Sequence, residues 1–193
     1  LYGENPNKAV RAFTKPFHEA GIQTHMLDRG LNGLRMYPVP ADVRRLMYKV
    51  KHAQGVDITR IFCGLNEVRN IIPSIHYALE AGMIPQATLC ITFSPVHTVE
   101  YYTAIAERLI EAGAPEICLK DMAGIGRPGM LGRLTKTIKE RHPEVIIQYH
   151  GHSGPGLSMA SILEVCENGA DIIDVAMDCL LYTSPSPRDR SVS

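Results

Sequence analysis

The stretch EAGAPEICLKDMAG, Glu111 to Gly124, holds one complete junction of a repeating pattern. It leaves a helix-like run, turns at Gly113, passes through a short apolar run at Glu116–Lys120 and ends on charge at Lys120-Asp121. Glycine just past a helix end adopts the left-handed backbone without a Cβ penalty. The same turn recurs as EAG at Glu19–Gly21, AQG at Ala53–Gly55, EAG at Glu80–Gly82 and ENG at Glu167–Gly169. Each follows an amphipathic run and precedes a β-rich one.

Working outward, strands are predicted at Ile22–Leu27, Ile58–Cys63, Ala87–Phe93, Glu116–Lys120, Val145–His150 and Asp171–Ala176. Helices are predicted near Asn7–Ala20, Ala41–Ala53, Glu67–Ala81, Thr98–Ala112, Pro128–Arg141 and Leu157–Asn168. Pro40 and Pro128 suit first helical turns and Pro143 suits a helix stop. Such alternation implies a parallel sheet with right-handed crossovers, closed as a barrel or left open and doubly wound. No GxGxxG follows the early strands, which weakens a dinucleotide-binding sheet. Polar residues gather at strand ends, at Asp28-Arg29, Asn66, Lys120 and His150, as the active face of a barrel requires. The expectation is an α/β fold, a partial TIM (β/α)8 barrel with about six of eight units present and truncated at both ends. Two open sheet edges would then invite aggregation, and residues 1–178 in isolation are expected to be poorly soluble and inactive.

Composition narrows the function classes. Among 193 residues, 45% are apolar and 21% charged, with 20 basic and 20 acidic side chains. Zero net charge points to neither a nucleic-acid partner nor an anionic membrane surface. No apolar run approaches the roughly 20 residues of a membrane span. Five cysteines, Cys63, Cys90, Cys118, Cys166 and Cys179, show no disulfide-framework spacing, which favours a reducing cytoplasm.

The ending CLLYTSPSPRDRSVS, Cys179 to Ser193, continues neither helix nor strand. Its part from Cys179 to Asp189 back-translates into a transposase-type sequencing adapter read in frame. Residues 179–193 are therefore expected to be a non-native tail, after a barrel portion at 1–178.

Lys120 poses the chemical question, because an ammonium group follows directly on a buried strand. The next strand ends YHGHSG, Tyr149 to Gly154, where His150 and His152 share one face if the chain stays extended. Gly151 between them permits close approach of backbone or ligand. Imidazole is the commonest neutral metal ligand, and two on one strand make half a site. The plain alternatives are two satisfied histidines and a Lys120–Asp121 ion pair. A charged lysine repels a divalent cation, but a neutral amine captures CO2 as a carbamate, an anionic oxygen donor. Desolvation lowers a lysine from its ordinary pKa of about 10.4 and favours that neutral form.

ICLKDMAG (Ile117–Gly124), SPVHTVEYY (Ser94–Tyr102), RIFCGLNEVRN (Arg60–Asn70) and GADIIDVAM (Gly169–Met177) resemble the carboxyltransferase domain of biotin-dependent pyruvate carboxylases. The oxaloacetate decarboxylase α subunit and the transcarboxylase 5S subunit share that domain. The resemblance covers nearly the whole chain to Met177. Related HMG-CoA lyase and isopropylmalate synthase barrels carry HxH but generally lack this lysine.

The resemblance implies that Lys120 is carboxylated and, with His150 and His152, binds Zn, Mn or Co. An Asp from the family's first barrel strand normally completes the site, and the six strands read here do not include it. RGLN, Arg29–Asn32, matches the family's RGxN segment, so Arg29 and Asn32 are the implied substrate-binding residues and Arg29 grips the keto-acid carboxylate. A planar guanidinium can do so with two hydrogen bonds. The implied reaction is carboxyl transfer between carboxybiotin and pyruvate or oxaloacetate through an enolpyruvate intermediate. Its implied partners are biotin carrier and biotin carboxylase domains or subunits, within a homo-oligomeric parent protein. The alternatives are an acyl-CoA lyase or Claisen-type synthase of the same superfamily, and an inactive remnant serving as an assembly surface.

The chain departs from the family pattern in two places. Arg35-Met36 stand where Gly-Tyr is usual, and Cys63 where Asp is frequent. For the family's proton-shuttling threonine, Thr183 is off by one in spacing and falls in the tail, and it is left unassigned. His97 is read as starting the next helix, and Cys118 as packing.

Overall fold

A computed structural model describes residues 3–175. The tail at 179–193, Thr183 and the last predicted strand residue, Ala176, lie outside the described residues. Helix α1 (Pro6–Glu19) starts where Asn5 accepts from the backbone amides of Asn7 and Lys8, with Pro6 in the first turn. The remaining helices are α2 (Ala41–Ala53), α3 (Val68–Glu80), α4 (Val99–Glu111), α5 (Pro128–Arg141) and α6 (Ser158–Glu167). The strands are β1 (His25–Asp28), β2 (Ile58–Ile61), β3 (Ile84–Cys90), β4 (Glu116–Asp121), β5 (Ile146–Gly151) and β6 (Ile172–Ile173).

Helices α2 and α5 begin and end at the residues expected from sequence. The αβ turns also follow expectation. Gly113 has φ +100°, its amide donates to Ile110, and the Ala114 amide donates to Leu109. This pair of bonds satisfies the last helical carbonyls. Turns at Gly21, Gly55, Gly82 and Gly169 repeat it.

Three strands differ from expectation by three residues at one end or both, and the other three by one or two residues. β1 starts at His25 rather than Ile22, because Thr24 is bound up in a turn: its amide and hydroxyl reach Asp57 and Gly55. β3 starts at Ile84 and takes in Pro85, since proline fits the opening of a strand. β6 is two residues long, though its pairing to β5 continues through the Asp174 amide, which donates to the Tyr149 carbonyl at 2.9 Å. A 3-10 turn at Gly30–Asn32 has no counterpart among the expected elements.

The described residues form two compact units. The first comprises residues through Thr88 together with Leu109–Pro115. There β1 pairs parallel to β2 and β2 to β3. Tyr48, Val56, Ala78 and Met83 form a buried cluster, and Ile61, Ile71, Ile75 and Leu109 are fully buried.

The second unit comprises Leu89–Arg108 and the described residues from Glu116 onward. There β4 pairs parallel to β5 and β5 to β6. Ile117, Leu119, Leu131, Leu134, Ile147 and Val165 are buried between strands and helices. The Tyr102 hydroxyl on α4 accepts from the Thr92 amide and donates to the Cys90 carbonyl, tying α4 to the end of β3. Among the described residues no helix is long and apolar enough to cross a membrane.

Candidate functional site

In the second unit, Lys120 on β4 lies directly across from His150 on β5 in the parallel register. Lys120 is buried, with 4% of its surface exposed. The rings of His150 and His152 meet edge to face with centroids 5.3 Å apart. Strand and extension therefore bring the three sequence-predicted residues to the ends of two neighbouring strands.

The KDMAG loop explains why His152 stays there beyond the end of β5. The backbone carbonyl of Asp121 accepts from the His152 amide at 3.0 Å and from the Gly124 amide at 3.3 Å. The Asp121 side chain accepts from the amides of Ile125 and Gly126 at 3.0 and 2.8 Å. So Asp121 folds the loop ahead of α5. Gly124 has φ +67°, and a Cβ there would overlap the His152 carbonyl. At Gly151, too, a side chain would find no room. The group that approaches it is the buried ring of Tyr149, whose hydroxyl a Cβ would overlap.

Sequence reasoning missed Asp174. Its Oδ2 accepts from His150 Nδ1 at 2.6 Å, while Oδ1 accepts from the Gln148 amide nitrogen. A carboxylate on Nδ1 fixes the tautomer in which Nε2 carries the lone pair, the arrangement found behind metal-bound imidazoles. Asp174 sits inside GADIIDVAM, but its partner is 24 residues away in sequence. The letters alone do not pair them.

Among the described residues no group of three His, Cys, Asp or Glu side chains is placed to hold a metal ion. A divalent cation held by His150 and His152 would need Lys120 as a further donor. The residues present fit a divalent cation on that condition, with the His150–Asp174 bond as the supporting observation. Cys118 is fully buried on β4, in keeping with packing. His97 sits in the turn before α4 and shares a hydrogen bond with the Ser94 hydroxyl at 2.7 Å.

In the first unit, Arg29 precedes the 3-10 turn after β1 and Asn32 is its last residue. They line a cavity of about 200 Å³ with Phe62, Cys63 and Asn70. Arg29 is exposed, and its Nη1 donates to the Arg35 carbonyl at 3.3 Å and to Met36 Sδ at 3.0 Å. Asn70 Nδ2 donates to Cys63 Sγ at 3.4 Å. Both departures from the family pattern, Arg35-Met36 and Cys63, thus lie around this one turn.

The family model described as HMGL-like matches residues 65–180. A pyruvate carboxylase subunit of Methanocaldococcus jannaschii is 36% identical over 189 residues, 98% of this chain and 33% of that protein. The methylmalonyl-CoA carboxyltransferase 5S subunit of Propionibacterium freudenreichii subsp. shermanii is 33% identical over 178 residues, 92% of this chain and 35% of that protein. The carboxyl transferase domain of Rhizobium etli pyruvate carboxylase, solved with pyruvate, superimposes with a TM-score of 0.85 at 31% identity. That match covers 92% of this chain and 30% of the solved one. The chain thus spans about a third of the length of these curated relatives. Its alternating strands and helices are part of a (β/α)8 barrel, as expected from sequence. With a family model matched over more than half its residues, the chain belongs to the HMGL-like family.

Proposed function

We propose that this chain is the metal-binding part of a biotin-dependent carboxyltransferase. It would move a carboxyl group between carboxybiotin and pyruvate or oxaloacetate through an enolpyruvate intermediate. The observation that carries the reading is Lys120 opposite His150, with His152 beside it and Asp174 behind it. The similarity to pyruvate carboxylase and transcarboxylase subunits supports the same chemistry.

Lys120 as a carbamate, His150 and His152 would hold Zn, Mn or Co. When bound, the cation would supply Lewis acidity toward the keto-acid oxygens. The chain's own residues do the rest. Asp174 holds His150 in the tautomer that presents Nε2. Lys120 is buried on β4, and capture of CO2 would require its amine in the neutral form. Arg29 grips the keto-acid carboxylate, and its bonds to Arg35 and Met36 would be exchanged for those to the substrate. With the carboxylate fixed, the methyl group that loses its proton is held in one orientation.

The substrates would be pyruvate or oxaloacetate, and the partners would be biotin carrier and biotin carboxylase domains or subunits. The test is carboxyl transfer by the whole protein, with and without Lys120→Ala. A carboxyltransferase loses metal and transfer together. A lyase or Claisen-type synthase of the same family keeps both its metal and its activity, and that outcome would overturn the proposal.

A further inference from the structure

Beneath the turn that carries Arg29 and Asn32 lies a set of buried polar groups that the reaction above does not use. Arg44 on α2 is 5% exposed, and Asp28, Tyr48, Thr59 and Ser74 are fully buried. Arg44 Nη1 donates to the Gly30 carbonyl at 3.4 Å and to the Ser74 hydroxyl at 3.3 Å, and Ser74 in turn donates to the same carbonyl at 3.1 Å. Asp28, next to Arg29 in the chain, accepts from Tyr48 and Thr59. The guanidinium of Arg44 also lies over the Tyr77 ring at 5.6 Å.

The turn is gripped from its other side as well. Gly30 has φ +41°, and a Cβ there would come within 2.8 Å of the Asn70 carbonyl oxygen and 3.3 Å of that of Phe62. The peptide between Arg29 and Asn32 is thus confined between two backbone carbonyls and two buried donors.

A buried charge is costly, and apolar side chains of similar volume usually serve stability as well or better. Here Arg44 Nε and Asp28 Oδ1 have no hydrogen-bond partner, so the cluster is not optimised as an ion pair. What Arg44 does have is a rigid fork of donors, one arm of which is spent on the Gly30 carbonyl.

We infer that Arg44, assisted by Ser74, is a positioning residue for keto-acid binding: it holds the Gly30 carbonyl and thereby fixes Arg29 and Asn32 in the substrate cavity. This rests on the reading of Arg29 as the carboxylate grip.

The test uses the whole protein and the variants R44M, R44K, S74A, R29Q and R29Q/R44M. Carboxyl transfer is measured against pyruvate concentration, alongside metal content. R44M should raise KM for pyruvate about tenfold while kcat stays within about threefold, since the grip is lost in ground and transition states alike. Metal content should not change, R44K should recover part of the loss, and the double variant should be no worse than R29Q alone. A wild-type KM in R44M, or penalties that add in the double variant, would overturn the inference. If R44M does not fold, S74A decides the matter, with a raised KM supporting the inference and an unchanged one refuting it. If R29Q itself leaves KM unchanged, the carboxylate grip fails instead. Hydrogen exchange at the Leu31 and Asn32 amides then judges Arg44 directly: faster exchange in R44M supports its hold on the turn, and unchanged exchange removes it.

Discussion

Lys120 and His150 stand opposite each other in the register of two parallel strands, at the ends where the strands give way to loops. Lys120 is buried there, and the paired rings of His150 and His152 lie at the end of the neighbouring strand. The proposal that Lys120 carries a carbamate rests on this juxtaposition.

If Lys120, His150 and His152 hold a cation as proposed, Asp174 should matter nearly as much as they do. D174N keeps the size of the side chain but weakens its hold on His150 Nδ1. The expected result is a loss of about 10- to 100-fold in metal affinity or activity, read by titration with Zn, Mn or Co. Unchanged affinity would mean that the His150–Asp174 bond is structural only.

The Gly124→Ala substitution places a Cβ against the His152 carbonyl in a backbone conformation that disfavours side chains. It should cost about 1–3 kcal/mol of stability and reduce metal content, because His152 must move. Thermal melts with metal analysis check both. A variant that loses stability but retains full metal would show that the loop and His152 are uncoupled.

Arg29→Lys keeps the charge and loses the fork. KM for pyruvate should rise about 10- to 100-fold, with a smaller change in kcat, if the guanidinium makes two charge-assisted bonds to the carboxylate. Steady-state kinetics reads the split. Equal falls in kcat and kcat/KM would assign Arg29 to the transition state instead.

Burial raises the Asp28 carboxyl from 3.8 to about 6, against smaller lowering effects of Tyr48, Thr59 and Arg44. Because the folded value lies above the unfolded one, the contribution is complete below about pH 4 and is lost as pH rises through about 6. The loss amounts to about 3 kcal/mol by about pH 7. Melts of wild type and D28N between about pH 4 and pH 8 isolate it, since the difference between the two proteins should move in favour of D28N as pH rises. A difference that does not change with pH would show Asp28 titrating normally.

Much of the fold is legible in the sequence because its punctuation is local. The turns built on Gly21, Gly55, Gly82, Gly113 and Gly169 need a left-handed residue, and glycine supplies it. Helix α2 starts just after Pro40 and α5 lies between Pro128 and Pro143, with equally local effects. β3 begins three residues before its expected start, because Pro85 looks like punctuation and behaves there as a strand opening. In the site, period and spacing alone put Lys120, His150 and His152 on strand ends. They do not reveal Asp174 or Arg44, since each acts on a residue of another element, and burial of charge is invisible in a single sequence. Gly151 shows the same limit, because the Tyr149 ring that fills the space of a Cβ there is not legible in the sequence.

The most direct test of the central claim is the metal content of the whole protein prepared with and without bicarbonate, together with the peptide mass at Lys120. The account predicts bound Zn, Mn or Co that depends on bicarbonate, with the mass of one CO2 on Lys120. Full metal occupancy in Lys120→Ala, or an unmodified Lys120 in the metal-loaded protein, would contradict it.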